Sequence, residues 1–424
     1  MYLRKLELTN FRAFPTLEWS LNEGEEAGWH VLIGPNGSGK SGFLRAIAIA
    51  LTGSTEFTAA RRPTADFIRN APNVSKADIG IDLSQTAGWD VWEGQGRTAT
   101  GLIKASVTLS ADGSIKSSAG KHAPRTLWGN GRGWFSAAFG PMRRFTGGNL
   151  ENVRLFSGYP RLARHLSIFG EDVALTEALE WLRQLRFKEL ERSSQNGPAR
   201  GLLHNVRDFV NQDGFLQHSA KLSEVNSDAI TFEDGNGIAV PVVELSDGYR
   251  AVLSMTFELI RLMAQRYGED GLFSPDATQV LAPGIVLIDE IDAHLHPSWQ
   301  REIGPWLTKL FPKLQFIVTT HSPYVCQTAV QGSVWALPAP GSDAQLHRLE
   351  GEQLTRVLYG DVLHVLNSEA FGGLPGRSEH AVHMLDRLAQ LNRRQDRGQL
   401  SQPESAERED LEITLAPVVS GEAN

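Results

Sequence analysis

An α/β fold built on a mixed sheet is what this sequence predicts, on three observations. The apolar run Trp29-His30-Val31-Leu32-Ile33 leads directly into Gly34-Pro35-Asn36-Gly37-Ser38-Gly39-Lys40-Ser41 and then into the helix formers Gly42 to Leu51. That is the strand, glycine loop, helix order of a phosphate-binding loop. A second apolar strand, Gly284-Ile285-Val286-Leu287-Ile288, ends in Asp289-Glu290, and a third, Gln315 to Thr320, ends in His321-Ser322-Pro323, where the proline stops further extension.

From the N-terminus, Leu3, Leu6 and Leu8 alternate with Arg4, Lys5 and Glu7, and a second alternation runs over Leu17 to Leu21. Two strands joined by a turn at Asn10 to Phe14 fit this pattern. The helix Gly42 to Leu51 is closed by Thr52-Gly53, with its N-terminus at the glycine loop. A strand at Ile79 to Leu83 and an alternation at Leu102 to Leu109 flank a Gly-rich, Trp-containing tract, which predicts an antiparallel β region. Helical spacing follows from Leu155 to Glu191, with Leu175, Leu179, Leu182 and Leu185 on one period, and again at Leu202 to Val210 after the break Asn196-Gly197-Pro198. No heptad is sustained, so this is a compact helical insertion and not a long coiled-coil arm. A hairpin turns at Asp234-Gly235-Asn236-Gly237. Helix Asp247 to Tyr267, strand Ile285 to Ile288, helix Pro297 to Leu310 and strand Gln315 to Thr320 complete an α/β half. Residues 350–397 read as helical and end in a polar tail with Glu404, Glu407, Glu409 and Asp410. The expected division is 1–150, an N-terminal lobe with the glycine loop and the antiparallel β region; 151–215, the helical insertion; 216–345, a C-terminal lobe; and 346–424, a helical extension with a polar tail.

The 424 residues are 41% hydrophobic and 21% charged, as in an ordinary globular chain. A net charge of −8 argues against a whole-surface nucleic-acid binder and leaves room for local basic patches. Cys326 is the single cysteine, so no intramolecular disulfide can form, and the N-terminal stretch lacks a signal-type apolar block. No run approaches the roughly 18 apolar residues that a membrane span requires. A cytoplasmic protein with no membrane role of its own is expected.

Each motif carries a chemistry. Glycines let several backbone N–H groups converge on phosphates, Lys40 can reach the β- and γ-phosphates, and the Ser41 hydroxyl can ligate Mg2+. Asp289, at the end of a buried strand, can hold Mg2+ through water, and Glu290 can polarise an attacking water. His321, one strand away, suits a γ-phosphate sensor. Leu245-Ser246-Asp247-Gly248-Tyr249-Arg250 opens a helix with Ser246 as N-cap and Gly248 allowing close approach, so this second helix end can also face an anion. One chain cannot easily bring two such helix ends to one nucleotide; a second copy can. ATP and Mg2+ are therefore the expected ligands, and Asp292 is the candidate for contact with the opposite copy.

The order GPNGSGKS, LSDGYR, IVLIDE, IDAHLHP and TTHSP resembles the ATP-binding cassette ATPases, specifically the RecF-like and overcoming-lysogenization-defect-like branch of AAA-family ATPases without membrane domains. The motifs cover residues 1–55 and 240–335, and Asp247 with Tyr249-Arg250 depart from the commonest signature. The resemblance implies a cassette head that hydrolyses ATP as a head-to-tail homodimer or higher oligomer. It adds Arg12 to the nucleotide-binding residues Gly34 to Ser41, Ser246 and Gly248, and leaves the glutamine-loop residue open between Gln85 and Gln95. The segments Phe139 to Gly148, Leu155 to Leu182 and Ser368 to Ser378 resemble the ATPase subunits of Septu and retron anti-phage systems. That implies a separately encoded effector such as an HNH nuclease; direct DNA binding, as in RecF-like repair ATPases, is the alternative. No Asp-x-Asp pair follows His321, so no Toprim nuclease site is expected in this chain. His294, His296 and Asp292 are read as a loop and not as a zinc site. Arg183, Arg186, Lys188 and Arg192, interleaved with glutamates, read as a salt-bridged face before a phosphate contact. Arg143-Arg144 could serve nucleotide, nucleic acid or an internal carboxylate.

Overall fold

The computed structural model describes residues 1–90, 101–120, 127–129, 133–141, 158–170, 176–193, 201–216, 219–342, 344–368, 371, 373 and 378–419. Its strands are β1 (Tyr2–Phe11), β2 (Phe14–Ser20), β3 (Gly28–Ile33), β4 (Lys76–Ser84), β5 (Ile103–Ser110), β6 (Ile115–Ala119) and β7 (Ser136–Phe139). They continue as β8 (Lys221–Val225), β9 (Ile230–Glu233), β10 (Ala239–Pro241), β11 (Gly284–Ile288), β12 (Leu314–Thr319), β13 (Gly332–Ala336) and β14 (His347–Arg348). The helices are α1 (Lys40–Phe57), α2 (Pro160–Ala163), α3 (Thr176–Ser193), α4 (Leu202–Asn211), α5 (Asp247–Tyr267) and α6 (Pro297–Leu310). Then come α7 (Pro323–Gln327), α8 (Gly351–Tyr359), α9 (Val362–Leu366), α10 (Glu379–Asp396) and α11 (Gln402–Val419).

The central sheet runs β14-β13-β3-β12-β11-β7, parallel throughout except for the β13–β14 pair. Its inner strands β11 and β12 are buried along their whole length, which is why they read as unbroken apolar runs and not as alternations. A second, antiparallel sheet, β2-β1-β4-β5-β6, shows the alternation instead. Helix α1 packs against strands of both sheets, so its apolar residues are buried all round, from Phe43 and Leu44 through Leu51. The sheets are also tied directly. A register shift between Leu3 and Lys5 frees backbone groups of β1, and the buried amide of Gln315 on β12 meets both ends of Leu3. Its Oε1 accepts from Leu3 N at 2.7 Å and its Nε2 donates to Leu3 O at 2.8 Å.

Helix α1 continues beyond its expected end to Phe57, through a kink at Gly53 (φ 78°, ψ 165°). A Cβ there would lie 2.5 Å from the Trp128 ring, whose indole N–H donates to Ala50 O at 3.0 Å. The turn beyond the kink carries Glu56, whose carboxylate takes Arg161 Nε at 3.0 Å and the backbone N–H of Arg161 and Leu162. In the insertion, α3 packs on α5, α4 and β8, and Arg261 of α5 is held by Glu258 and by Glu177 of α3. Strands β10-β9-β8 form a small antiparallel sheet around the expected hairpin.

Two compact units divide the chain, Met1–Val365 and Leu366–Asn424. The boundary between these units lies beyond the expected 346. Helix α8 packs on α7, and Gln327 Nε2 donates to Gly360 O at 2.8 Å, which keeps residues 346–365 with the first unit. The expected polar tail holds helix α11. Within the second unit α11 pairs with α10 through Arg387, which makes two bonds of 2.7 Å to the Glu407 carboxylate, over buried Leu388, Leu391 and Leu415.

Candidate functional site

The loop Gly34 to Lys40 leaves the end of β3 with Gly34, Gly37 and Gly39 at φ 155°, 79° and 98°. A Cβ at Gly34 would lie 2.7 Å from Ser38 Oγ, and one at Gly39 would lie 2.5 Å from the Phe14 ring, so these positions need glycine for space as well as conformation. Pro35 is half-buried, Asn36 and Gly37 are exposed, and the Ser38 hydroxyl is buried with no hydrogen-bond partner. Gly39 caps α1, whose first turn carries Lys40 and Ser41. Lys40 Nζ lies inside the loop, donating to Gly34 O at 2.7 Å and Pro35 O at 3.0 Å. Burial lowers its pKa, against the opposing pull of Asp289, Glu290 and Asp292. Arg12 lies beside this helix start, its Cδ 3.7 Å from where a Cβ on Gly42 would sit.

Register places the other groups. β12 lies between β3 and β11, so the strand ending near His321 separates the loop strand from the strand ending in Asp289. Asp289 is 2% exposed, and its Oδ1 accepts from Thr319 Oγ1 at 2.5 Å. Glu290 is half-buried and holds a left-handed backbone, φ 48°. Asp292 Oδ1 accepts from Thr320 Oγ1 at 2.5 Å and from the His321 N–H at 3.4 Å, so this carboxylate orders the start of the histidine turn within its own chain. Beyond it, Ser322 Oγ donates to Gln300 Oε1 at 2.6 Å, and Gln300 Nε2 donates to Leu295 O at 2.8 Å, which ties the turn to α6. The His321 ring has its pKa lowered first by lost hydration and next by Lys40, although the residue stays exposed. Lys40, Asp289, Glu290, Asp292 and His321 thus share one electrostatic neighbourhood.

The signature segment starts α5 at Asp247, as expected, and Ser246 takes the N-cap position. The residue is exposed and its side chain makes no capping bond. Gly248 approaches the 290–296 turn, where a Cβ would lie 3.5 Å from His294 O, and Tyr249 packs edge-on against Trp299. His296 has a role that spacing did not suggest: it is the N-cap of α6, its ring accepting from Ser298 N at 3.3 Å. Among the described residues no cluster of three metal-ligand side chains occurs. On α3, Arg186 pairs with Glu189 at 2.6 Å and Arg183 with Glu180 at 3.6 Å, as a salt-bridged face requires. Gln85 directly follows β4, whereas Gln95, Arg143-Arg144, Leu175, the Arg192 side chain and most of 369–377 lie outside the described residues.

Sequence reasoning missed Thr319, Thr320, Gln300 and Phe14. The signal was present for the threonines: two polar residues closing a buried apolar strand need buried partners.

A glycine nest with a bare buried hydroxyl, an inward lysine and a buried carboxylate on a nearby strand end fit a nucleoside triphosphate and a divalent cation. Residues 34–41 would hold the phosphates; Ser41 and Asp289 would hold Mg2+. Fold and site together define a phosphate-loop nucleotide-binding domain of the ATPase class. The chain belongs to the family described as "AAA domain, putative AbiEii toxin, Type IV TA system", whose profile matches residues 30–327. It is 41% identical over 136 residues to "Retron Ec83 probable ATPase" of Escherichia coli, across 32% of this chain and 23% of that protein. It is 28% identical over 356 residues to "Septu protein PtuA" of Bacillus mycoides (strain KBAB4), across 79% of this chain and 40% of that protein. The matches therefore span well under half of these relatives' own length. A solved SMC head bound to the C-winged helix domain of ScpA aligns with 84% of this chain and all of that one, at 16% identity and TM-score 0.46. Among the described residues, no helix is long and apolar enough to cross a membrane.

Proposed function

We propose that this chain hydrolyses ATP at a site completed by a second copy, and that the cycle regulates a separately encoded effector, of nuclease type, in anti-phage defence. One observation carries the enzymatic reading: β3, β12 and β11 are parallel neighbours, so the phosphate-shaped loop with Lys40, the His321 turn and the Asp289-Glu290 strand end follow adjacent strand ends. The loop N–H groups and Lys40 would bind and orient the triphosphate, with the ammonium leaving its two carbonyl partners to do so. Mg2+, when bound, supplies neutralisation of phosphate charge. Glu290 would take a proton from the attacking water and His321 would hydrogen-bond the transferring phosphoryl group. Ser246 and Gly248 of the second copy would close the site. The defence setting rests on the likeness to Septu and retron ATPases. Direct DNA binding has less support, because Arg183 and Arg186 are already in ion pairs.

Subunit mixing tests the composite site. Lys40→Ala and Ser246→Arg should each abolish turnover alone, whereas their mixture should regain part of it, since one of the two sites in a mixed dimer then has an intact loop and an intact signature. Glu290→Gln should cut turnover by about 100-fold while keeping ATP affinity. A mixture with no activity above its components refutes the shared site; unchanged turnover in the glutamine variant refutes the assigned base.

A further inference from the structure

We infer that Thr319 is a positioning residue that sets the geometry of both acidic groups at once, a conclusion that rests on the proposed ATPase reading. Glu290 holds φ 48°, a conformation an L-residue with a Cβ adopts only when its surroundings impose it. The Glu290 carbonyl accepts from the Ala293 N–H at 2.9 Å, and two further bonds come from one residue. Thr319 Oγ1 accepts from the Glu290 N–H at 2.8 Å, and Thr319 O accepts from the Ile291 N–H at 3.0 Å, so the peptide groups on both sides of the Glu290 Cα are pinned. The same hydroxyl donates its single proton to Asp289 Oδ1 at 2.5 Å, in the range of a charge-assisted bond.

One hydroxyl thus fixes the Asp289 carboxylate with its proton and the Glu290 backbone with a lone pair. Thr319 is fully buried, so water cannot substitute for either contact. It closes β12 opposite Leu32 of β3, which places it between the loop strand and β11. Its neighbour repeats the device one step on, since Thr320 Oγ1 donates to Asp292 and accepts from Ser322 N at 2.9 Å. The base, the metal-side carboxylate and the backbone leading to His321 are therefore held by consecutive residues of one strand end. Thr319 need touch no substrate to matter: it acts through Asp289 and Glu290.

The test uses the full chain as wild type, Thr319→Val and Thr319→Ser. Valine keeps the branched shape and removes the hydroxyl; serine keeps the hydroxyl. Valine should lower kcat at least about tenfold while the Kd for a fluorescent ATP analogue with Mg2+ stays within about twofold, and serine should restore kcat. Hydrogen exchange at the amides of 290–291, read without nucleotide, should speed up at least about tenfold in the valine variant and not in the serine variant. If Thr319→Val does not fold, Thr319→Ala carries the same expectations. Unchanged exchange in the hydroxyl-free variant, or kcat and affinity falling together, overturns the inference. Should the wild type hydrolyse no ATP, the functional reading fails, and the exchange measurement still decides whether Thr319 holds the two acids.

Discussion

His165 gives the fold a defined acid sensitivity. The ring is fully buried beyond α2, and its Nδ1 lies 2.7 Å from Arg161 O, so that nitrogen carries the hydrogen; Nε2 is buried with no partner. Burial pushes the pKa from the ordinary 6.5 down to about 3, and the Arg164 and Arg161 guanidinium groups push the same way against the bond to the carbonyl. The unfolded ring therefore takes a proton before the folded one does. Stability from this site is fully present above the unfolded value and is lost as pH falls through the window below it. At about pH 5 the unfolded ring is charged and the folded one neutral, so the loss relative to neutral pH is about 2 kcal/mol, set by the distance from the unfolded pKa. Chemical denaturation at the two pH values, in wild type and in His165→Asn, checks it. The asparagine amide keeps a donor for Arg161 O but does not titrate, so the variant should lose about 2 kcal/mol less on acidification. An equal loss in both proteins refutes the assignment. His30, held between Ser333 Oγ and Glu26 O and pushed by burial to about 4, supplies a similar acid loss that both proteins share.

Two further outcomes follow from close contacts. Gln315→Leu would leave the Leu3 N–H and C=O buried without partners, and should lower stability by about 2 to 4 kcal/mol in denaturant titrations; a change within experimental scatter would remove the bridge between the sheets. Gly39→Ala must carry a Cβ into the Phe14 ring at φ 98°, and should weaken binding of a fluorescent ATP analogue about tenfold or more; unchanged affinity would count against the loop as the phosphate site.

Legibility in the sequence tracked how local each signal is. Helix α6 begins where expected because Pro297 is a start signal that acts within one turn, and α5 begins at the expected Asp247 although the N-cap Ser246 makes no side-chain bond. β7 escaped notice: four residues, Ser136 to Phe139, gain strand character only by pairing with β11, a partner far along the chain. β13 is buried by its pairing with β3, a neighbour equally remote in sequence. Helix α11 looked like a polar tail because its pairing with α10 relies on Arg387–Glu407 charge contacts across a thin apolar seam, which leaves little 3.6-residue hydrophobic period to read. Within the site, the residues that bear the chemistry were readable from their motifs, whereas Thr319, Gln300 and His296 were not. Their roles exist only once β11, β12 and α6 are side by side.

Ser246 is the place where a local rule and the structure part, and the difference bears on the proposed mechanism. A serine capping its own helix contributes about 1 kcal/mol, and the sequence has the residue in position to do so. The structure leaves the hydroxyl unbonded and exposed at the head of a helix of 21 residues, with Asp247 engaged by Arg250 instead. The Ser246 hydroxyl is then not used in capping its own helix, which suits a surface whose acceptor comes from outside the chain. That surface also adjoins the 290–296 turn through Gly248 and His294, so an acceptor docking there would meet the segment that Thr319 and Thr320 hold in place. In the proposed composite site, closure by the second copy and alignment of Glu290 would be linked through this one turn, and Ser246→Arg should therefore depress turnover at the partner's loop and leave its own loop competent.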